Sequence, residues 1–289
     1  MIPPRLPAYY LSHGGGPWPY MKDELGGLFS QLEASIQDIP RQLGVKPQAV
    51  LVISAHWEAA TFAVSANPSP PMIYDYGGFP EHTYHVHYRA PGSPALARQV
   101  QVLLQRGGLS AQLEAQRGFD HGTFSILEPL YPEADIPVVQ LSIKADFDPL
   151  THMKAGGLLA PLRDEGVLII GSGSSYHNVR RFDAGAATPS RRFDAWLNDT
   201  LVNASPAGRS QQLINWTAAP DARFAHPREE HLLPLMVAVG AAQDDRGTCI
   251  YHQENMLGYL TFSSFRFGDA TPADPPIRAA APPVPGVDR

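Results

Sequence analysis

The 289-residue chain has one cysteine, Cys249, which excludes an internal disulfide framework. It has no surplus of basic charge: 22 Lys and Arg stand against 28 Asp and Glu, a formal net charge of −6 that provides no footprint for nucleic acid. No apolar run approaches the roughly 18 residues of a membrane span. The N-terminus lacks a basic segment followed by a long apolar stretch and a small-residue cleavage site. Nucleic acid and membrane are thereby set aside as partners, and a cytoplasmic protein is the expectation. The chain is long enough to bury a sizeable core.

What is present is a series of short apolar strings rich in β-branched or aromatic residues, at 8–11, 49–53, 137–141 and 167–170. Each is bounded by Gly, Pro, Ser or His, as in a strand buried on both faces. Between them the spacing is helical. Leu25, Leu28, Phe29, Leu32, Ile36, Ile39 and Leu43 recur every three or four residues, and Pro40 is expected to end or distort that helix near its last turn. Ser93-Pro94 and Asp148-Pro149 pair an N-cap with proline at the first helical position, opening helices near 95–106 and 150–163. Helices near 191–203 and 230–242 follow, then strands at 248–253 and 260–267. This alternation predicts an α/β fold, one domain over 1–268 with a central, largely parallel or mixed sheet flanked by helices. The Pro- and Ala-rich segment 269–289 is expected to be a flexible or surface-draped tail.

Six of the eleven histidines lie in short motifs next to these strings. His13 follows the first and precedes three glycines, which let backbone approach a ligand; an incidental histidine in a glycine turn is the plain alternative. His56 repeats the arrangement after the strongest strand. His121 lies in Asp120-His121-Gly122-Thr123. Gly171-Ser172-Gly173-Ser174-Ser175 matches neither a phosphate loop nor a nucleophile elbow, and is better read as a sharp turn that returns His177 toward the strand ends. In His226-Pro227-Arg228-Glu229-Glu230-His231, two histidines five apart on one helix would diverge by about 140°. Both could serve one site only with His226 in the loop before the helix; His231 is expected to point inward from the first helical turn, with Glu229 and Glu230 facing solvent as first-turn acids. His82, His85 and His87 suit an exposed strand or loop, and His152 and His252 read as ordinary surface or helix residues.

Taken in order, Ser12-His13-Gly14, Ser54-Ala55-His56-Trp57, Gly77-Gly78-Phe79-Pro80 with Ala90-Pro91-Gly92, Asp120-His121-Gly122-Thr123, Gly171-Ser172-Gly173 with His177-Asn178, and His226-Pro227 with His231 resemble the class III extradiol ring-cleavage dioxygenases, most closely the DOPA 4,5-dioxygenase subfamily. The resemblance runs from about Tyr10 to Ala242, and the tail beyond Phe267 lies outside it. It implies that His13, His56 and His231 hold a metal, that His177 moves protons and that His121 contacts substrate or oxygen. The aligned third ligand is a glutamate in the better-known branch of the superfamily and His231 here. Three neutral ligands would leave a doubly charged ion uncompensated until an anion binds.

The implied partners are a small catechol and O2, and the implied product is a muconic semialdehyde. Iron(II) is the expected working metal, because zinc has no redox chemistry, although a three-histidine site can carry zinc in the isolated protein. Trp18, Trp57, Tyr74 and Phe79 are candidates for an aromatic wall, and His226 or Arg228 for a substrate carboxylate. Two other readings stay open: a zinc hydrolase using the same three histidines with His177 or Glu230 as base, and a catalytically silent binding protein.

Overall fold

The computed structural model describes residues 5–269 and 277–278. The strands are β1 (Ala8–Ser12), β2 (Ala49–Ala59), β3 (Phe62–Ser65), β4 (Ala111–Glu114), β5 (Val138–Lys144), β6 (Val167–Gly173), β7 (Gly247–Met256), β8 (Leu260–Phe267) and the two-residue β9 (Ile277–Arg278). The helices are α1 (Ser30–Gln37), α2 (Ile39–Leu43), α3 (Pro94–Arg106), α4 (His121–Leu130), α5 (Pro149–Leu159), α6 (Ala187–Asn198), α7 (Pro206–Ile214), α8 (Ala222–Ala225) and α9 (Leu233–Ala242). One sheet has the order β4-β3-β5-β2-β6-β1-β8-β7-β9. Its centre, β5-β2-β6-β1, is parallel, and β8 and β7 continue it antiparallel. The expected α/β fold with a mixed sheet is the observed one.

Because side chains alternate along a strand, each central strand feeds two cores. Tyr10, Leu51, Ile53, Leu141 and Ile169 pack with α3, α5, α6 and α9 on one face. Tyr9, Leu11, Val50, Val52, Leu168 and Ile170 pack with α1, α2 and α4 on the other. The parallel strands cannot be joined directly, and their helical crossovers leave a row of strand C-termini at one edge.

Proline decides where the observed helices depart from the expected ones. The helix read through 25–43 is two helices, with Leu25, Leu28 and Phe29 in turns before α1. Pro40 lies in the first turn of α2, where its missing N–H costs nothing, so it starts a helix instead of ending one. Pro234 likewise lies in the first turn of α9, which begins at Leu233, and His231 sits in the turn before the helix. Ser93 and Asp148 cap α3 and α5 as anticipated, accepting from the backbone N–H of Leu96 and Thr151. The short β3 and β4 were not anticipated. Of the segment 269–289, Asp269 and β9 are described, β9 pairing with Tyr251 and His252 of β7; the expected flexibility of the rest lies outside the described residues.

Candidate metal centre and active site

The row of strand ends carries the histidines. His13 follows β1 directly, and its backbone N–H donates to Gly173 O at the end of β6 (3.0 Å). His56 is lifted out of β2: Ser54 pairs with Ser142 and Glu58 with Ile143, so three residues, Ala55 to Trp57, bulge between consecutive pairs. His231 is brought in by its own carbonyl, which accepts from Tyr10 Oη (2.8 Å) and the backbone N–H of Ser174 (3.1 Å). That approach requires Gly173, where a Cβ would lie 2.1 Å from His231 O. His121 opens α4, and His177 follows the turn after β6 with its N–H bonded to Ala225 O (3.0 Å). All five line one cavity of about 300 Å³.

Two sets of possible ligand atoms lie close together, one from His13, His56 and His121 and one from His177, Glu230 and His231. Nε2 of His56 joins them, 3.1 Å from His13 Nε2 and 3.2 Å from His231 Nε2. Metal–nitrogen bonds of about 2.0–2.1 Å put neighbouring ligand nitrogens roughly 2.8–3.4 Å apart at right-angle to tetrahedral geometry. The His13–His56 and His56–His231 separations both fall in that range.

The hydrogen bonds behind these rings assign their tautomers. Ser172 Oγ gives its proton to Gly122 O, so it accepts from His13 Nδ1 (3.1 Å). Glu230 Oε1 accepts from His231 Nδ1 (3.2 Å), and Asp75 Oδ2 faces His56 Nδ1 at 3.4 Å. With the Nδ1 atoms protonated, the Nε2 atoms of all three rings are left as lone-pair donors, those of His13 and His231 each within 3.2 Å of that of His56. Such outer partners fix the orientation and basicity of metal-binding imidazoles. The same carboxylates serve the two remaining histidines. Glu230 Oε1 also accepts from His177 Nδ1 (3.0 Å), and Asp75 Oδ1 accepts from the ring and backbone N–H of His121, both at 2.9 Å. The His177 ring stacks on that of His231, centroids 3.3 Å apart.

Burial, followed by mutual repulsion, holds the three converging histidines neutral: His56 is lowered to about 3, and His13 and His231 fall well below the ordinary histidine value. Burial pushes Asp75 and Glu230 up, but hydrogen bonds from His121 and His177 outweigh it and keep both below the usual carboxylate range. Two carboxylates thus lie within hydrogen-bonding reach of the imidazoles. The reading of Glu230 as a solvent-facing acid is thereby corrected; Glu229, paired with Arg223, is itself only partly exposed.

None of the residues that the sequence suggested for an aromatic wall or a substrate carboxylate lines the cavity. Trp18 is buried, its Nε1 donating to His13 O (2.5 Å), so it braces the first histidine from behind. Tyr74 is spent on Val86 O and packs against Tyr76 and Tyr84. His226 is wholly buried against Phe193 and Trp216, with Nε2 bonded to Ser175 O (3.1 Å). Arg228 is held by both oxygens of Glu58 and lies over Phe147. Trp57 is buried under Arg117, and Phe79 lies where a Cβ on Gly16 would clash. His152 is a helix residue as expected, though buried inside α5, and His252 is a half-buried residue of β7 paired with Asp194. His82 and His85 pair with Glu24 and Glu81 away from the site. Asp75 was missed, and nothing in Tyr74-Asp75-Tyr76 distinguishes it from a loop acid. The cavity walls were missed as well, because Tyr251, Met256, Leu257 and Phe262 come from the β7–β8 hairpin.

Converging imidazoles at the C-terminal edge of a parallel sheet define an α/β protein with a metal-binding centre. The family described as the catalytic LigB subunit of aromatic ring-opening dioxygenase matches residues 7–265, and the chain belongs to it. The chain is 43% identical over 227 residues to a 4,5-DOPA dioxygenase extradiol of Beta vulgaris, covering 77% of this chain and 83% of that protein. It is 36% identical over 268 residues to the Escherichia coli (strain K12) protein of the same name, covering 91% and 95%. The crystal structure of an uncharacterized protein from Escherichia coli K12 superposes with a TM-score of 0.73 at 32% identity, over 91% of this chain and all of that one (100%). The protein is a ring-cleaving dioxygenase, an oxidoreductase that takes O2 and a small aromatic molecule, as the order of motifs implied.

Proposed function

We propose that the protein opens the ring of a catechol beside its diol with O2, with iron(II) held by His13, His56 and His231. The observation that carries the reading is the donor set itself: three Nε2 lone pairs 3.1–3.2 Å apart along His13–His56–His231, each with Nδ1 faced by an acceptor. Iron(II) bound there supplies a Lewis acid for the adjacent oxygens and the redox chemistry that lets electron density reach O2, which zinc(II) lacks.

The protein groups do the rest. Glu230 holds the proton on His177 Nδ1, leaving Nε2 to take a proton from a catechol hydroxyl, and the resulting imidazolium keeps its bond to the carboxylate. The stack on His231 keeps that ring beside the ligand set. His121 is oriented by Asp75 in the same way; once protonated at Nε2 it donates to charge developing on oxygen, with Asp75 stabilising the cation. His177 then returns its proton as the ring opens. Membership of the ring-opening family supports this chemistry over hydrolysis at a zinc site.

The test is anaerobic removal of metal and reconstitution with iron(II) or zinc(II). Oxygen uptake matched to a yellow ring-opened product is expected from the iron form alone. Ester or amide cleavage by the zinc form, with no oxygen uptake by the iron form on any catechol, would replace this reading with the hydrolase.

A further inference from the structure

The cavity changes character away from the imidazoles. Phe29, Leu32, Tyr251, Met256 and Phe262 form its walls, and Val179, Phe182 and Leu257 its mouth. Those three are 65%, 41% and 42% exposed, and they are three of the five exposed large apolar side chains among the described residues. Exposed apolar groups gathered at one opening mark a binding surface more than a chance scatter would. The β7–β8 turn is built to place one of them: Asn255, Leu257 and Gly258 have φ of 61°, 54° and 88°. Among the described residues, no Lys, Arg, Asp or Glu lines the cavity. Neither Arg180 nor Arg181, beside the mouth, lines it, and Arg181 is tied to Asp183 and lies over Phe224.

We propose that the catechol taken by this enzyme carries an uncharged, apolar ring substituent, alkyl or aryl, rather than the zwitterionic alanyl group of DOPA. The inference rests on the catechol dioxygenase reading. With the diol end at the histidines, a substituent on the far side of the ring lies against Met256, Leu257, Phe262 and Phe182. A carboxylate and an ammonium brought there lose water and gain no partner. A methylene brought there gains the free energy of leaving water, about a fourfold effect on binding per group.

The experiment measures calorimetric binding and oxygen-uptake kinetics of the iron(II)-loaded enzyme with 4-methyl-, 4-ethyl- and 4-propylcatechol and with DOPA. Binding is expected to tighten about three- to fourfold per methylene, and 4-propylcatechol should exceed DOPA at least tenfold in kcat/KM. Equal or better kcat/KM for DOPA would overturn the proposal, as would a flat alkyl series. If binding follows the alkyl series but no catechol consumes oxygen, the dioxygenase reading has failed while the pocket preference stands. Val179→Arg, which puts a cation at the mouth, should shift the preference toward DOPA. Arg180→Ala should leave DOPA turnover unchanged, and a tenfold loss there would reveal the cationic partner that the proposal denies.

Discussion

Glu230 offers the sharpest test of how the site is organised, because one of its oxygens serves two histidines with different jobs. Oε1 accepts from His177 Nδ1 at 3.0 Å and from His231 Nδ1 at 3.2 Å, while Oε2 has no hydrogen-bond partner and lies 4.0 Å from Arg228. Glu230→Gln can keep Oε1 in place and put its amide nitrogen where Oε2 was, so it removes charge and preserves shape. A hydrogen bond to a charged group exceeds a neutral one by about 1 kcal/mol, or about fivefold for each contact. The His231 contact acts on metal affinity and the His177 contact on turnover. Iron(II) affinity, measured by competition with a chelator, is expected to fall about fivefold, and kcat at saturating iron to fall by a similar factor of about five. Glu230→Ala removes both bonds and should reach the 10- to 100-fold losses typical of outer partners of metal ligands. If both variants kept iron affinity and kcat within a factor of about two of the parent, Glu230 would be a bystander and the tautomer argument would fall.

His177→Ala should still bind iron and catechol calorimetrically but lose about two to four orders of magnitude in kcat; near-normal turnover would remove it as the proton carrier. Loss of bound metal is expected from His13→Ala, His56→Ala and His231→Ala, and full metal content by elemental analysis in any one would strike that residue from the ligand set. Gly122→Ala would place a methyl 2.8 Å from Ser54 Oγ and 2.9 Å from His56 Cδ2. Overpacking of this kind costs about 1–3 kcal/mol, read as a lower denaturation midpoint together with weaker metal retention. His252, raised above the ordinary histidine value chiefly by its hydrogen bond to Asp194, stabilises the fold as a cation. With the folded value above the unfolded one, that contribution is complete below about pH 6.5 and fades as pH rises through the folded value. Denaturation of the parent and His252→Gln should differ most below about pH 6.5 and converge once the pH is well above the folded value; a constant gap would refute the linkage.

The residues legible in the sequence are those whose placement follows from the direction of the chain. His13 and His56 follow apolar strings that had to be buried strands, parallel strands need crossovers, and crossovers leave strand ends together; His177 follows a third such end. The motif order then supplied His121 and His231. The illegible residues act through side chains that meet across the fold. Asp75 is 46 positions from His121, and Glu230 is 53 from His177, with no local pattern that marks either pairing. Glu230 was misread because a charge before an apolar helix ordinarily faces water, whereas Pro234 delays α9 and leaves 229–232 as a turn that swings this acid inward. His226 is buried against Phe193 and Trp216 and Arg228 is held by Glu58, and neither lines the cavity. A motif can therefore identify which imidazoles meet, but the carboxylates behind them and the apolar walls beside them are set by packing.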